Sequence, residues 1–193
     1  MGRPAEETIG LFDAKCQDGG RLMFPGHFAA GLAIKAIEPR APMLGLMIGV
    51  GMLDLVFGVG VGLGIEGGGF AHFITPWSHS LLMALAWSLL YAACFYRWGH
   101  AIAVAMFAAV LSHWVLDVFS HAPDMQLWPH SSIELGYGRF FGGLGGWLEA
   151  AVSALGLLAY IHYARRPDVQ PRRWRVVAGV IAVCFGLEVL VVP

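Results

Sequence analysis

The chain has 193 residues, of which 58% are apolar and only 13% are charged, whereas soluble domains contain roughly 45–50% apolar and about 25% charged residues. The formal net charge of −1 gives no electrostatic basis for binding nucleic acid, so this class of partner is excluded. The composition therefore predicts a polytopic membrane protein.

The apolar segments, taken in chain order, predict an all-α membrane helix bundle. Residues 1–24 form a polar N-terminal tail, and residues 25–193 form the integral membrane domain. A short first helix, Gly26–Pro39, cannot cross about 30 Å of hydrocarbon at about 1.5 Å per residue. About five transmembrane helices follow it: Pro42–Gly64, Trp77–Tyr96, His100–His121, Leu144–Ala164 and Trp174–Val192.

The distribution of basic residues predicts how these helices are oriented. Threading the spans up and down places eight of them on one face: Lys35, Arg40, Arg97, Arg165, Arg166, Arg172, Arg173 and Arg175. After residue 25, only Arg139 falls on the opposite face. Because Lys and Arg accumulate in cytoplasmic loops, we expect this face to be cytoplasmic and residues 62–76 and 122–143 to lie on the outer side.

Six ionisable side chains from four segments share one depth near this outer side: His27, Asp54, His79, His113, Asp117 and His121. In "LSHWVLDVFSHAPD" three of them recur every four residues, and such positions form one stripe on a helix. Imidazole and carboxylate groups suit Zn²⁺ and similar divalent ions. A cation would also compensate Asp117, since a lone carboxylate in the membrane costs roughly 2.5–3.5 kcal/mol. The six residues are therefore predicted metal ligands.

Polar residues near the same face are candidates for other roles. Glu149 lies one or two turns into its span, where it could act as a further ligand or as a general base. The loop after the helix His100–His121 is expected to contact the substrate through Asp124, Trp128 and His130. Glu66 lies in a Gly-rich connection and is expected to be solvated.

Four stretches occur in an order that resembles the YdjM-like family of membrane-bound proteins described as metal-dependent hydrolases. They are "GHFAAGLAI", "GMLDLVFG", "WSHSLL" and "SHWVLDVFSHAPDMQLWP", and the resemblance covers roughly residues 25 to 165. That family is described as an inner-membrane one, so the resemblance implies an integral protein of the bacterial inner membrane. The family is in turn similar to the zinc-dependent phospholipase C and P1-nuclease group. Those helical enzymes cleave phosphate esters with up to three zinc ions.

The resemblance implies ligands in the order His, Asp, His, then an HxxxD pair and a further His. The matching positions are His27, Asp54, His79, His113, Asp117 and His121. The chain departs from the pattern at three places. Asp54 is flanked by leucines rather than preceded by proline, and the basic, glycine-containing stretch expected before the His-Ser pair is replaced by "HFITPWSHS". Glu149 is followed at i+4 by Ser153 instead of completing a second HxxxD. We therefore expect one or two divalent ions, with zinc as the expected metal, rather than three.

Together these features predict a metal-dependent hydrolase that acts on a phosphate ester of a lipid or lipid-linked substrate at the outer face, through a metal-activated water. Asp117 is the candidate for bridging metals, and Asp54 or Glu149 for accepting the proton. Membrane lipids are the expected partners, and assembly into a homo-oligomer stays open. Three alternatives remain: a non-catalytic protein with a structural metal site, a polar packing cluster, and an ion or proton transporter. The apolar cytoplasmic half of the helices argues against the transporter.

Overall fold

In the computed structural model the chain is mostly helical, as predicted. The structure describes residues 24–69, 72–121, 123–137, 143–168, 178, 179 and 182. The helices are α1 (Phe24–Ile37), α2 (Met43–Val50), α3 (Met52–Gly62), α4 (Leu81–Phe95), α5 (His100–Ser120) and α6 (Gly143–Ala164). A 3₁₀ turn, Tyr96–Trp98, follows α4. Two antiparallel hairpins pair β1 (Gly67–Gly69) with β2 (His72–Ile74), and β3 (Met125–Gln126) with β4 (Glu134–Leu135).

Helix α5 is central, because it contacts each of the other five helices. Its apolar residues Met106 and Ala109 pack with Leu46 and Val50 of α2 in the main core. Further along α5, Val110, Trp114 and Val118 pack with Leu53 of α3 and with Met125 of the second hairpin. The hairpin β3–β4 therefore closes one end of the bundle.

Two described helical segments are long and apolar enough to cross a membrane: Leu81–Trp98 and His100–Ser120. A third span results if α2 and α3 count as one broken crossing. Helix α1 and the described apolar part of α6, Ala151–Ala164, are shorter. The predicted number of about five spans is thus not confirmed. Of the last predicted span, Trp174–Val192, only residues 178, 179 and 182 are described, and of the predicted tail only Phe24.

Exposed side chains on the long helices are largely apolar. Leu89 and Leu90 on α4 are 63% and 55% exposed, and Val104 on α5 is 51% exposed. Soluble monomers rarely expose extended apolar patches, whereas lipid tails are a suitable environment for such surfaces. This distribution agrees with an integral membrane protein.

The prediction of one continuous helix over Pro42–Gly64 was wrong. The helix breaks at Gly51, and α2 and α3 meet there at a bend of 50°. Sharp bends concentrate at glycine because it adds no side-chain restraint to the backbone. The break matters for the site, because it ends α2 at Val50 and puts Asp54 in the first turn of α3.

The span predicted from Trp77 also begins later, at Leu81. Residues 76–79 form a turn instead of the first helical turn. The backbone N–H groups of Trp77 and Ser78 donate to the carboxylate of Glu66, 2.7 Å away in each case. His79 therefore lies on a tight turn before α4, held by contacts from outside that helix.

Candidate metal centre

Four segments bring five of the predicted ligands together. Helix α1 contributes His27, α3 contributes Asp54, the turn before α4 contributes His79, and α5 contributes His113 and Asp117. The three histidines and Asp117 are at most 8% exposed. The side chain of Asp54 is 40% exposed, so the cluster is open on this one side.

Asp54, His79, His113 and Asp117 form what we call the His–Asp ring, in which imidazole nitrogens and carboxylate oxygens alternate. From His113 Nε2 the distances are 3.2 Å to Asp117 Oδ2 and 3.5 Å to Asp54 Oδ1. From His79 Nε2 they are 3.6 Å to Asp54 Oδ1 and 3.7 Å to Asp117 Oδ2. Each imidazole thus faces both carboxylates.

The carboxylate of Asp117 is shared between the ring and a neighbouring histidine. Its Oδ1 lies 3.0 Å from His27 Nε2. Its Oδ2, which belongs to the ring, is buried and has no hydrogen bond within the described part of the chain. A buried carboxylate oxygen without a hydrogen bond is costly, and a cation in the ring would compensate this atom.

In the two ring histidines, the outer nitrogen, Nδ1, which faces away from the carboxylates, already has a hydrogen-bond partner. Nδ1 of His113 lies 2.8 Å from the carbonyl oxygen of Val50, which is free to accept because it ends α2. A carbonyl only accepts, so Nδ1 carries the proton. Nδ1 of His79 lies 2.7 Å from Ser78 Oγ, and this hydroxyl is itself a donor to Glu66. In both neutral imidazoles the lone pair is therefore on Nε2.

Two lone pairs and two carboxylates that face one another repel unless positive charge lies between them. That charge is either a proton on the imidazoles or a bound metal ion. Three of the four ring distances are 3.5–3.7 Å, longer than the roughly 2.7–3.2 Å of a good hydrogen bond. A tetrahedral ion with bonds of about 2.0–2.1 Å has its ligands about 3.3–3.4 Å apart. The donor atoms suit a zinc-type ion, and the four imidazole–carboxylate distances are close to the spacing of ligands around such an ion.

Two compact groups of three donors are present in the described residues, and they overlap. One contains His27, His113 and Asp117, and the other contains Asp54, His79 and His113. Both need His113, whose Nδ1 is bonded to Val50. Since the remaining nitrogen has one lone pair, the two groups cannot each hold an ion at the same time in this geometry.

The predicted ligand His121 lies at the margin of the cluster. Helix α5 ends at Ser120, and His121 adopts an extended backbone with φ −79° and ψ 152°. It therefore leaves the helical stripe of His113 and Asp117. Its Nε2 lies 3.9 Å from Asp117 Oδ1, and its Nδ1 lies 3.6 Å from Asp124 Oδ1.

The predicted substrate-contacting residues divide between interior and surface. The side chain of Asp124 is only 9% exposed and faces His121. Trp128 and His130 are exposed in the loop between β3 and β4, and the His130 ring lies edge-on to the Trp77 ring at 6.0 Å. Glu149, the predicted further ligand or general base, lies in α6, but its side chain is not among those that the structure describes.

Glu66 was predicted to be solvated, and this was wrong. It is 7% exposed, and its Oε1 accepts hydrogen bonds from Trp77 N, Ser78 N and Ser78 Oγ. No feature of the sequence indicated this burial, because a glutamate in a Gly-rich connection such as "GLGIEGGGF" is usually solvated. Ser78 was missed because a serine next to a ligand carries no signal of its own.

Comparison with known proteins gives one family. A family model described as "YdjM inner membrane protein" matches residues 72–191. That range includes three ring residues, His79, His113 and Asp117, and the description names a location rather than a reaction. Neither the curated proteins nor the solved structures contain a match to the chain.

Proposed function

The chain belongs to the YdjM family of inner membrane proteins, and we propose that it is a membrane-embedded, metal-dependent hydrolase of phosphate-ester lipids. The His–Asp ring is the observation that carries this proposal. It combines two imidazole nitrogens and two carboxylate oxygens, and among the described residues one buried oxygen, Asp117 Oδ2, has no hydrogen bond.

The donor set favours a zinc-type ion over a harder cation. Mixed nitrogen and oxygen ligands suit zinc, whereas Mg²⁺ and Ca²⁺ prefer oxygen alone. The ion would be held by His79, His113 and Asp117, so that the exposed side of the ring, at Asp54, stays open to water and substrate. One ion fits the geometry better than two, because both donor groups compete for His113. The hydrogen bonds on the outer nitrogens of His79 and His113 are the kind that orients metal-bound histidines.

The roles of the protein groups follow from their exposure. When bound, a zinc-type ion supplies Lewis acidity, which acidifies water and polarises a phosphoryl oxygen. Asp54 is the proposed proton acceptor, because it is the one ring residue open to solvent and substrate. Asp117 is buried and fixed by His27, so it positions the ring rather than exchanging protons.

The position of the ring favours a lipid substrate. The ring lies at one end of the long helix α5, beside the hairpin β3–β4 with its exposed Trp128. Aromatic side chains of this kind favour the membrane–water interface, where lipid head groups lie. A phosphate ester at that depth could reach Asp54 without leaving the bilayer.

An ion pathway through the bundle is less well supported. The buried face of α5 beyond the ring consists of Val110, Ala109, Met106, Ala105, Ala103 and Ile102. Such a run provides no polar groups for a translocated ion. A purely structural metal site would be closed by protein ligands, and the exposure of Asp54 favours a catalytic one instead.

The proposal is tested by phosphate release from a panel of lipid phosphate esters in detergent. We expect zinc-dependent turnover by the wild type and a loss of at least 100-fold in Asp54→Asn, since removal of a general base typically costs about 10²–10⁴-fold. The exchange Asp168→Asn, at an exposed position after α6, is the control. Tight zinc binding without turnover of any ester would leave a structural metal site as the function.

A further inference from the structure

A buried carboxylate outside the ring is connected to it by an unbroken chain of hydrogen bonds. Glu66 follows α3 and accepts three hydrogen bonds through Oε1: from the backbone of Trp77 and Ser78 at 2.7 Å and from Ser78 Oγ at 3.1 Å. Ser78 is fully buried, and its Oγ lies 2.7 Å from His79 Nδ1. The order is thus Glu66, Ser78, His79 and then the ring.

The direction of the protons along this chain follows from the carboxylate. An ionised carboxylate only accepts hydrogen bonds, so the single hydroxyl proton of Ser78 is donated to Glu66. Ser78 Oγ is then an acceptor towards His79, and the proton it accepts is the one on Nδ1. His79 is thereby held in the form whose Nε2 lone pair points at Asp54 and Asp117.

Glycine at position 60 provides the space for this carboxylate. A Cβ added to Gly60 would lie 2.6 Å from Glu66 Oε2 and 3.0 Å from its Cγ, whereas Cβ atoms added at Gly58 or Gly62 would meet nothing within 4 Å. The backbone N–H of Glu66 also donates to the carbonyl oxygen of Gly60, at 3.2 Å. Glu66 therefore joins α3, which carries Asp54, to the turn that carries His79.

We propose that Glu66 and Ser78 are positioning residues of the metal centre, which set its metal affinity by holding His79 in the Nδ1-protonated form. The inference rests on the proposed metal site and goes beyond it by assigning two residues that do not touch the ion. In metalloproteins, partners of ligating histidines typically change metal affinity by about 10–100-fold.

The experiment measures the zinc dissociation constant of the detergent-solubilised full chain by competition with a chelator. Ser78→Ala removes the middle hydroxyl of the hydrogen-bonded series Glu66–Ser78–His79, and we expect it to weaken zinc binding by about 10–100-fold. Ser80→Ala is the matched control. Ser80 is equally buried in the same turn, but its hydroxyl donates to the carbonyl oxygen of Pro76 instead of contacting a ligand. Its affinity should equal that of the wild type.

Variants of Glu66 distinguish the hydrogen-bonding role of its carboxylate from the effect of its volume on packing. Glu66→Gln keeps an acceptor oxygen and should retain more affinity than Glu66→Leu, which has nearly the same size but no acceptor. If the residues act in series, the double variant Glu66→Leu/Ser78→Ala should bind zinc no more weakly than Ser78→Ala alone. Additive losses would instead indicate two independent effects. Gly60→Ala should weaken binding, and Gly62→Ala should leave it unchanged.

The outcomes distinguish this inference from the proposed function. If the wild type binds no zinc, both are overturned. If the wild type binds zinc and Ser78→Ala binds it equally well, the positioning role is wrong and the metal site stands. A thermal melt of each metal-free variant shows whether it is folded, and any unfolded Ser78→Ala sample is replaced in the comparison by the pair Glu66→Gln and Glu66→Leu.

Discussion

Asp117 is the residue on which the centre depends, because its two carboxylate oxygens contact different partners. Oδ1 lies 3.0 Å from His27, and Oδ2 lies 3.2 Å from His113. An amide at this position would keep the volume of the side chain and replace one of these oxygens by an NH₂ donor. Metal binding and histidine contacts would no longer be satisfied together.

Asp117→Asn is therefore expected to abolish zinc-dependent stabilisation. In the wild type, zinc at about 100 times its dissociation constant should add about 2.7 kcal/mol to the free energy of unfolding. For a chain of this size that corresponds to a rise in Tm of about 5–10 °C. Thermal melts with zinc and with chelator measure the difference. Asp168→Asn should keep the full rise, and an equal rise in Asp117→Asn would contradict the role of the carboxylate.

At the scale of residues, the sequence predicted those site residues that stand out as ionisable groups in apolar segments. His113 and Asp117 stand out because ionisable groups are rare in an apolar span, and their spacing puts them on one face. The departure of His121 could not be predicted, since it depends on α5 ending one residue earlier. The contacts of Glu66 and Ser78 with the ring connect separate segments, and no single segment reveals them.

At the scale of elements, the break between α2 and α3 shapes the ring. The bend of 50° at Gly51 ends α2 at Val50, whose carbonyl oxygen accepts from His113. It also places Asp54 in the first turn of α3, where the helix dipole favours a negative charge. A continuous helix was predicted from the uninterrupted apolar segment, because hydropathy depends on the length and composition of a segment and does not reveal a change in the direction of the helix axis.

The approach of α1 to α6 gives a prediction about packing. A Cβ added to Gly156 on α6 would lie 2.8 Å from the carbonyl carbon of Ala29 on α1, so backbone would have to move. Gly156→Ala is expected to destabilise the protein by about 1–3 kcal/mol, as overpacking does. Thermal melts in detergent measure this. Gly62→Ala, in α3 with open space around it, should show no loss, and a loss as large as that of Gly156→Ala would point to a general effect of glycine replacement.

At the scale of the whole molecule, the basic residues and the ring occupy opposite ends of α5. Arg97 lies just before the helix begins, whereas Asp117 and the hairpin with His130 lie at its other end. Because Lys and Arg accumulate on the cytoplasmic side, we predict that the ring faces the outer side of the membrane.

Labelling of single cysteines tests this orientation. In a chain with its three native cysteines replaced by alanine, His130→Cys should react with an impermeant maleimide in right-side-out vesicles. Arg97→Cys should react only after the vesicles are opened. The reverse pattern would place the ring on the cytoplasmic face and would redirect the search for substrates to lipids of that leaflet.

The most direct test of the central claim is the metal content of the purified wild type, measured beside His113→Asn and His100→Asn. Both histidines lie on α5, but His113 belongs to the ring, whereas His100 is exposed at the other end of the helix. We predict one zinc-type ion per chain in the wild type and in His100→Asn, and less than a tenth of that in His113→Asn after the same chelator wash. His113 would provide a ligand atom, so its loss should cost at least the roughly 10–100-fold in affinity that is typical for partners of ligating residues. A wild type that stays metal-free after incubation with zinc would contradict the account.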